Sequence, residues 1–166
     1  TTGCELENVL AFRTKADVDA IISTTRQDNT AVVAGGGLLG LEAAYGIAMH
    51  GIKTILVHRS GSILSQQLDS TGGKLLQKNL EKYGIEFKLN TTIKEISGDG
   101  IVEKVEFTDG VCVESNLVVF ATGIIPNTAL AIDAQLDTKK GIIVDDFLKT
   151  SDDSIFAIGE CVEHNG

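Results

Sequence analysis

A glycine-rich segment, residues 35–40, is the strongest candidate for a binding site in this sequence. Its residues, GGGLLG, fit the pattern G-x-G-x-x-G. The segment follows an apolar run, residues 30–34, that predicts a buried strand, and it precedes a Leu- and Ala-rich run that predicts a helix over residues 38–50. A glycine loop between a strand and a helix is the context in which this pattern binds a dinucleotide.

Each glycine of the pattern has a separate physical role in such a site. We expect Gly35 to permit the tight turn after the strand, and Gly37 to let the backbone approach a pyrophosphate. We expect Gly40 to let the helix pack close to the strand. The pyrophosphate would lie against unpaired amides at the helix N-terminus, where the helix dipole also favours an anion. The alternative is a glycine-rich turn in an unrelated α/β protein.

The end of the second predicted strand, residues 53–57, is the position that distinguishes NADH from NADPH. Sites that prefer NADH carry Asp or Glu there, which bonds the ribose hydroxyls, whereas NADPH sites lack the acid and supply Arg. Here the strand is followed by His58, Arg59 and Ser60, with no acid. Arg59 could form a bidentate contact with a 2′-phosphate, which favours NADPH or dual use. The alternative is that Arg59 is a solvated loop residue and His58 caps the ribose.

One acidic residue, Glu42, lies on the predicted helix two positions after the glycine pattern. It either stabilises the helix dipole or faces the nicotinamide end of the cleft, and the residues leave both roles open. His50 and His164 have no partner at metal-ligand spacing, so we predict no metal site.

The composition restricts the partners of the protein. The 166 residues include 14 Lys and Arg against 23 Asp and Glu, for a net charge of −9. This balance argues against a nucleic-acid surface, which needs a basic patch, but it allows one dinucleotide at a local site. No apolar run has the length of a membrane span, so no membrane partner is predicted. The three cysteines are far apart and form no CxxC pair, and we expect them to be reduced and mostly buried, as suits the cytoplasm.

Strand and helix patterns alternate along the chain, which predicts an α/β fold with a Rossmann-like parallel sheet and helices on both faces. Thr14 or a neighbouring residue caps a predicted helix that ends near Thr24, and Asp28-Asn29 predicts a turn. The further strands and helices of this layer are predicted over residues 30–34, 38–50, 53–57, 69–83, 85–89 and 117–121.

The spacing of apolar residues changes after the third predicted strand, residues 85–89. Gly-Asp-Gly and Asp-Gly turns separate three short segments, which predict an inserted antiparallel three-stranded meander over residues 92–97, 101–108 and 111–115. Two further short strands are predicted over residues 141–145 and 154–158, and we expect them to belong to a neighbouring domain.

Four segments together resemble the NAD(P)H-binding domain of the FAD-dependent pyridine nucleotide oxidoreductases. They are GGGLLGLEAA (35–44), the meander, LVVFATGIIPN (117–127) and TSDDSIFAIGEC (150–161), and they span nearly the whole chain in order. Within that family the sequence is most similar to the flavin region of assimilatory NAD(P)H-dependent nitrite reductase large subunits. The features that indicate this group are residues 64–69, Gly72-Gly73, GIIPN (123–127) and GECVEHNG (159–166).

The resemblance implies a function and a set of binding residues. In such enzymes NAD(P)H delivers hydride to FAD, and the protein aligns the two rings. Carried over to this sequence, the residues that would hold the pyrophosphate are Gly35, Gly37, Leu38, Leu39 and Gly40. His58 and Arg59 would hold the adenosine ribose or its phosphate. The residues that would line the nicotinamide pocket are Glu42 and Gly123, and those that would meet the ribityl chain of FAD are Gly159 and Glu160.

The resemblance also divides the chain and implies parts that lie outside it. Residues 1–29 would be a linker and entry helix from an FAD domain, residues 30–123 the NAD(P)H-binding domain, and residues 124–166 a return segment toward the FAD domain. A nitrite reductase would carry sirohaem and a 4Fe-4S cluster elsewhere, so we expect the isolated chain to be inactive. The expected partners are the dinucleotide, the FAD domain of the same polypeptide and, as an option, a second copy in a homodimer.

Two alternatives remain open at this stage. The first is the NAD(P)H domain of a ferredoxin, rubredoxin or disulfide reductase. The second is a non-catalytic dinucleotide-sensing module.

Overall fold

The computed structural model describes residues 1–24 and 29–164, and it separates into two compact units. The first unit is Thr1–Gly123 and the second is Ile124–Gly166. The turn predicted at Asp28-Asn29 begins at a residue outside the described ranges.

The first unit contains three helices and eight strands in its described residues. The strands are β1 (Val9–Ala11), β2 (Thr30–Ala34), β3 (Lys53–His58), β4 (Ile85–Leu89), β5 (Ile93–Ser97), β6 (Lys104–Phe107), β7 (Cys112–Glu114) and β8 (Leu117–Phe120). The helices are α1 (Lys15–Thr24), α2 (Leu38–Met49) and α3 (Ser70–Glu81).

Five of these strands form one parallel sheet in the order β1-β8-β2-β3-β4. Strand β2 is the central strand and pairs in parallel with β3 on one side and with β8 on the other. The carboxyl ends of all three strands therefore lie at the same edge of the sheet. Strands β5, β6 and β7 form a separate antiparallel sheet, inserted between β4 and β8. The predicted Rossmann-like sheet and the predicted meander are both confirmed.

The two faces of the parallel sheet are covered by different layers. Buried residues of α1 and α2, such as Ile21, Leu41 and Ile47, pack on one face together with Leu76 of α3. The other face packs against residues of the antiparallel sheet, including Phe107. In the described residues the helices thus cover one face and the antiparallel sheet covers the other, because an apolar sheet face can be buried by a second sheet as well as by helices.

Alternating side chains explain how β2 serves both layers. Val33 faces the helices and Val32 faces the antiparallel sheet, and both are fully buried. This is the pattern of a strand that is covered on both faces, which reads as a continuous apolar run.

Two further features of the described residues differ from what the sequence predicts. Strand β1 was missed, because three residues paired only to β8 give almost no periodic signal. The cysteines are free, but Cys4 and Cys112 are exposed and Cys161 is half-buried, rather than mostly buried.

The second unit contains a short helix, α4 (Ala129–Asp133), and two short parallel strands, β9 (Ile142–Ile143) and β10 (Val162–Glu163). The Glu163 carboxylate accepts hydrogen bonds from the Lys140 and Gly141 amides at 2.8 and 3.0 Å, and these bonds lower its pKa. The strand predicted over residues 154–158 is not formed. Phe156 makes only an isolated bridge with Lys149, and the partner of β9 is instead β10.

We predict opposite stability effects for the same substitution at Gly35 and Gly46. Gly35 has φ of +127°, and a Cβ there would clash with the Ala121 carbonyl, so Gly35→Ala should lower the free energy of unfolding by about 1–3 kcal/mol. Gly46 lies within α2, where a Cβ meets nothing within 4 Å. Gly46→Ala should therefore raise that free energy by about 0.5–1 kcal/mol. Urea unfolding of both variants measures this, and equal effects would contradict the described packing of the glycine loop.

Candidate functional site

A cavity of about 540 Å³ opens at the edge of the sheet where β2, β3 and β8 end. Its volume lies in the range of small-molecule sites, and its position is the one at which open parallel sheets bind ligands. The predicted site residues that line it are Gly35, Gly37, Leu38, Leu39, His58, Arg59 and Gly123.

The glycine loop makes a tight turn between β2 and α2. The Gly35 amide donates to the Val57 carbonyl at 2.9 Å, and its φ of +127° is one that L side chains rarely adopt. Gly40 is buried behind the loop, where a Cβ would clash with the Gly35 carbonyl oxygen. The described geometry therefore needs glycine at both positions, one for the turn and one for the close approach of helix and loop.

Gly37 differs from these two glycines, because the space beside it is open. It is the N-cap of α2, its φ is −85°, and a Cβ there meets nothing within 4 Å. No side chain caps α2, and the first amides of a helix have no partner within it. Among the described residues, no acceptor is found for the Gly37, Leu38 or Leu39 amides. All three residues line the cavity, so a pyrophosphate there could lie beside these donors.

Both backbone polar groups of Gly36 make hydrogen bonds within the chain. Its amide donates to Nδ1 of His58 at 3.1 Å, and its carbonyl accepts from the Leu64 amide at 2.9 Å. The imidazole packs so closely that a Cβ on Gly36 would lie 2.6 Å from its Cγ. Leu64 itself is buried with a positive φ of 47°. The glycine loop is thus attached both to the end of β3 and to the segment that follows it.

The cavity has few charged side chains, and their charge is positive. Among its described lining residues, Arg59 is the only Lys or Arg and no carboxylate is present. Arg59 is exposed and makes no salt bridge within the described ranges. Partial burial, and then the positive charge of Arg59, lower the pKa of His58 below its usual value. At neutral pH the imidazole is therefore uncharged, and Arg59 supplies the positive charge.

Four predicted site residues do not line this cavity, and one of them, Gly40, lies buried behind the glycine loop. Glu42 is exposed on α2 and lines a second cavity of about 300 Å³, together with Phe12, Val18 and Ile22 of the β1–α1 region. Gly159 and Glu160 belong to the second unit, where both are exposed in a turn and Gly159 has φ of +92°. Their predicted roles toward nicotinamide and FAD stay predictions.

Several lining residues were not singled out as site residues from the sequence. Gly36 occupies a variable position of the pattern, and its bond to His58 has no sequence signal. The segment after β3 also contributes Ser65, Gln66 and Gln67. The position of this segment directly after the second predicted strand could have indicated its place at the site. Loops that follow neighbouring parallel strands meet at the same edge of the sheet.

In the part of the chain that the structure describes, no group of three or more His, Cys, Asp or Glu residues could hold a metal ion. No helix within residues 1–24 or 29–164 has the length and apolar character needed to cross a membrane.

Comparisons with known proteins agree with this geometry. The sequence profile of the family described as pyridine nucleotide-disulphide oxidoreductase matches residues 2–166. The chain is 43% identical to a nitrite reductase [NAD(P)H] of Bacillus subtilis over 99% of its own length, and 34% identical to a rubredoxin-NAD(+) reductase of Ectopseudomonas oleovorans over 96%. It spans 20% and 42% of these two proteins.

A solved structure gives the same result for the fold. The chain is similar to a ferredoxin reductase of Rhodopseudomonas palustris with a TM-score of 0.94 and 30% identity, over 99% of this chain and 41% of that one. The glycine loop, the parallel sheet and the inserted antiparallel sheet thus occur in a chain that belongs to the pyridine nucleotide-disulphide oxidoreductase family.

Proposed function

We propose that this chain binds NAD(P)H in the glycine-loop cavity and presents the nicotinamide to FAD held by another part of the same polypeptide. The observation that carries the proposal is the open space beside Gly37, bordered by unpaired amides of the loop and of the first turn of α2. FAD, when bound, accepts the hydride of the reduced nicotinamide. The work of this chain is to hold and orient the dinucleotide.

The pyrophosphate belongs beside Gly37 on this proposal. The amides of Leu38 and Leu39 donate to its oxygens, and the N-terminal end of the α2 dipole favours its charge. Gly35 and Gly40 contribute indirectly, because their lack of a side chain lets the loop lie close to Ala121 and to the helix.

The adenosine end of the cofactor belongs beside β3. The cavity has no carboxylate among its described lining residues, and Arg59 is exposed without a salt bridge there. A guanidinium binds a phosphate by paired hydrogen bonds, whereas a carboxylate would repel it. We therefore propose that Arg59 binds the 2′-phosphate, and that NADPH is preferred or used alongside NADH.

The nicotinamide end belongs beside the end of β8. Gly123 has φ of +104°, and a Cβ there meets nothing within 4 Å, so a flat ring has room to approach its backbone. Glu42 keeps its two candidate roles, toward the nicotinamide or toward the α2 dipole. Glu42 lines the second cavity and lies beyond the first turn of α2, so its position favours neither role over the other.

We propose that the second unit contacts FAD and the domain that holds it. Gly159 has a left-handed backbone and open space at its Cβ, which suits a turn that a ligand approaches closely, with Glu160 beside it. The unit also exposes large apolar side chains, namely Ile125, Leu130, Phe147, Phe156 and Ile158, which are 60–90% exposed. Exposed apolar residues in such number mark an interaction surface, and we propose the FAD domain as its partner. A second copy in a homodimer is the alternative.

The electron acceptor beyond FAD is the least direct part of the proposal. Sirohaem and a 4Fe-4S cluster do not fit the described residues, because the cysteines Cys4, Cys112 and Cys161 stand apart and form no ligand group. We place both groups elsewhere in a full-length nitrite reductase that converts nitrite to ammonia. The higher identity to nitrite reductase than to rubredoxin reductase favours this acceptor. Free thiols, two of them exposed, suit a reducing cytoplasm.

The experiment that tests this function is rapid mixing of the full-length flavoprotein with NADPH or NADH while the flavin absorbance is followed. Loss of the oxidised flavin band supports hydride transfer to FAD. An unchanged flavin with a bound dinucleotide would favour the sensing module instead. Nitrite and rubredoxin are then added in separate experiments. The compound or protein that restores the oxidised flavin band is the electron acceptor.

Gly37→Val should abolish dinucleotide binding and leave the fold intact. The valine side chain would enter the space assigned to the pyrophosphate, while its Cβ meets no neighbouring atom in the structure. Calorimetric titration with NADPH and urea unfolding measure the two effects. Gly46→Val is the matched control, because it places the same side chain in equally open space on the same helix. Retained affinity in Gly37→Val would place the binding site elsewhere.

Arg59→Ala should weaken NADPH binding about tenfold to a hundredfold and NADH binding much less. A hydrogen-bonded charge pair contributes about 1.5–3 kcal/mol, and only NADPH carries the 2′-phosphate. Arg59→Lys keeps the charge but loses the paired geometry, so its NADPH affinity should lie between the other two. Calorimetric titration of all three proteins with both cofactors measures this. Equal losses for NADPH and NADH in Arg59→Ala would exclude the phosphate role.

A further inference from the structure

The glycine loop depends on the protonation state of one side chain. The Gly36 amide donates to Nδ1 of His58 at 3.1 Å, so that nitrogen has to carry a free lone pair. A protonated imidazole has two donors and no acceptor. Protonation of His58 therefore removes the only acceptor found for the Gly36 amide in the described structure and places two donors against each other.

The position of this bond makes it relevant to binding. Gly36 immediately precedes Gly37, whose open side faces the space assigned to the pyrophosphate. The second hydrogen bond of Gly36 comes from the Leu64 amide and involves the Gly36 carbonyl. The imidazole fixes the peptide between Gly35 and Gly36, and the bond from Leu64 fixes the next peptide, which carries the Gly37 amide. The path of the loop beside the open space therefore depends on both bonds, and only the bond to the imidazole can be lost by protonation.

We propose that His58 is a proton-sensitive positioning residue, whose neutral imidazole holds the glycine loop in the form that receives the dinucleotide pyrophosphate. This inference rests on the proposed function, because it uses the pyrophosphate position assigned there. Protonation releases the loop and weakens dinucleotide binding. The protein thereby couples cofactor capture to pH in the mildly acidic range.

The charged groups around the imidazole support an uncharged ring at neutral pH. Arg59, next to it in the chain, lowers the pKa of His58 in addition to the effect of burial. The glycine loop has no titratable side chain, and the residue opposite His58 on β4 is Leu89. Lys88 lies opposite Val57, and its Nζ is over the Phe107 ring at 5.5 Å. Because the pKa of His58 is lowered, the release falls on the acidic side of the usual titration of histidine.

A competing effect has the opposite sign, so the direction of the pH dependence is decisive. A charged imidazole near a bound pyrophosphate would attract it, and binding would then strengthen as the pH falls. Release of the loop makes binding weaken instead. NADH is the suitable probe, because it lacks the 2′-phosphate that itself titrates near about pH 6.

Two variants separate the hydrogen bond from the charge. In His58→Asn the side-chain oxygen takes the place of Nδ1 as acceptor and does not titrate. In His58→Leu the acceptor is lost at every pH. The dissociation constant for NADH is measured by calorimetry from about pH 5 to about pH 8, the range in which histidine changes charge.

We expect the wild-type dissociation constant to rise about threefold to tenfold on acidification, the value of one hydrogen bond. His58→Asn should show no such rise with acidification, and His58→Leu should bind NADH more weakly than His58→Asn at every pH. The proposal is overturned if the wild type binds more tightly in acid, or if His58→Asn keeps the full pH dependence.

The amide signal of Gly36 distinguishes failure of this inference from failure of the proposed function. In ¹⁵N NMR spectra without ligand, that signal should titrate together with the His58 imidazole. If it does so but NADH binds at no pH, the proposed function fails and the pyrophosphate step fails with it. If NADH binds at neutral pH but the Gly36 signal does not follow the imidazole, the positioning role fails and the proposed function stands.

Discussion

The parallel pairing of β2 with β3 on one side and with β8 on the other is the constraint on which the site depends. It brings three strand ends, and the loops that follow them, to one edge of the sheet. The Gly35 amide reaches the Val57 carbonyl across this edge, and the Ala121 amide reaches the Ala34 carbonyl. These bonds are possible only because the strands run in the same direction and end at nearly the same level. The layers of helices and antiparallel strands bury the two faces of the sheet and hold that register.

Within the glycine loop, the backbone groups divide into those that build the loop and those that are left for a ligand. The amides of Gly35 and Gly36 are used internally, by Val57 and His58. No internal partner for the Gly37 amide is found in the described ranges, and the space beside it is open. The first amides of a helix have no partner within it, so these exposed donors beside the cavity are available to bind an anion. The net charge of −9 does not oppose this, since Arg59 is the charged side chain at the cavity itself.

Sequence reasoning recovered those parts of the structure that have a periodic or local signal. The buried run of β2, the glycine pattern and the turns of the antiparallel sheet each have one, and all formed close to the predicted residues. Strand β1 has no such signal, because its pairing with β8 joins residues more than a hundred positions apart. The covering of the second sheet face was not predictable either, since both a sheet and a helix can bury an apolar surface. The bond from Gly36 to His58 likewise depends on a side-chain direction that only the folded chain defines.

We propose that the unpaired amides beside Gly37 receive the pyrophosphate of a nicotinamide dinucleotide. A crystal structure of the protein with bound NADPH tests this proposal. We expect pyrophosphate oxygens within about 3 Å of the Leu38 and Leu39 amide nitrogens, with the 2′-phosphate against the Arg59 guanidinium. A pyrophosphate bound in the second cavity beside Glu42, or away from the glycine loop altogether, would contradict it.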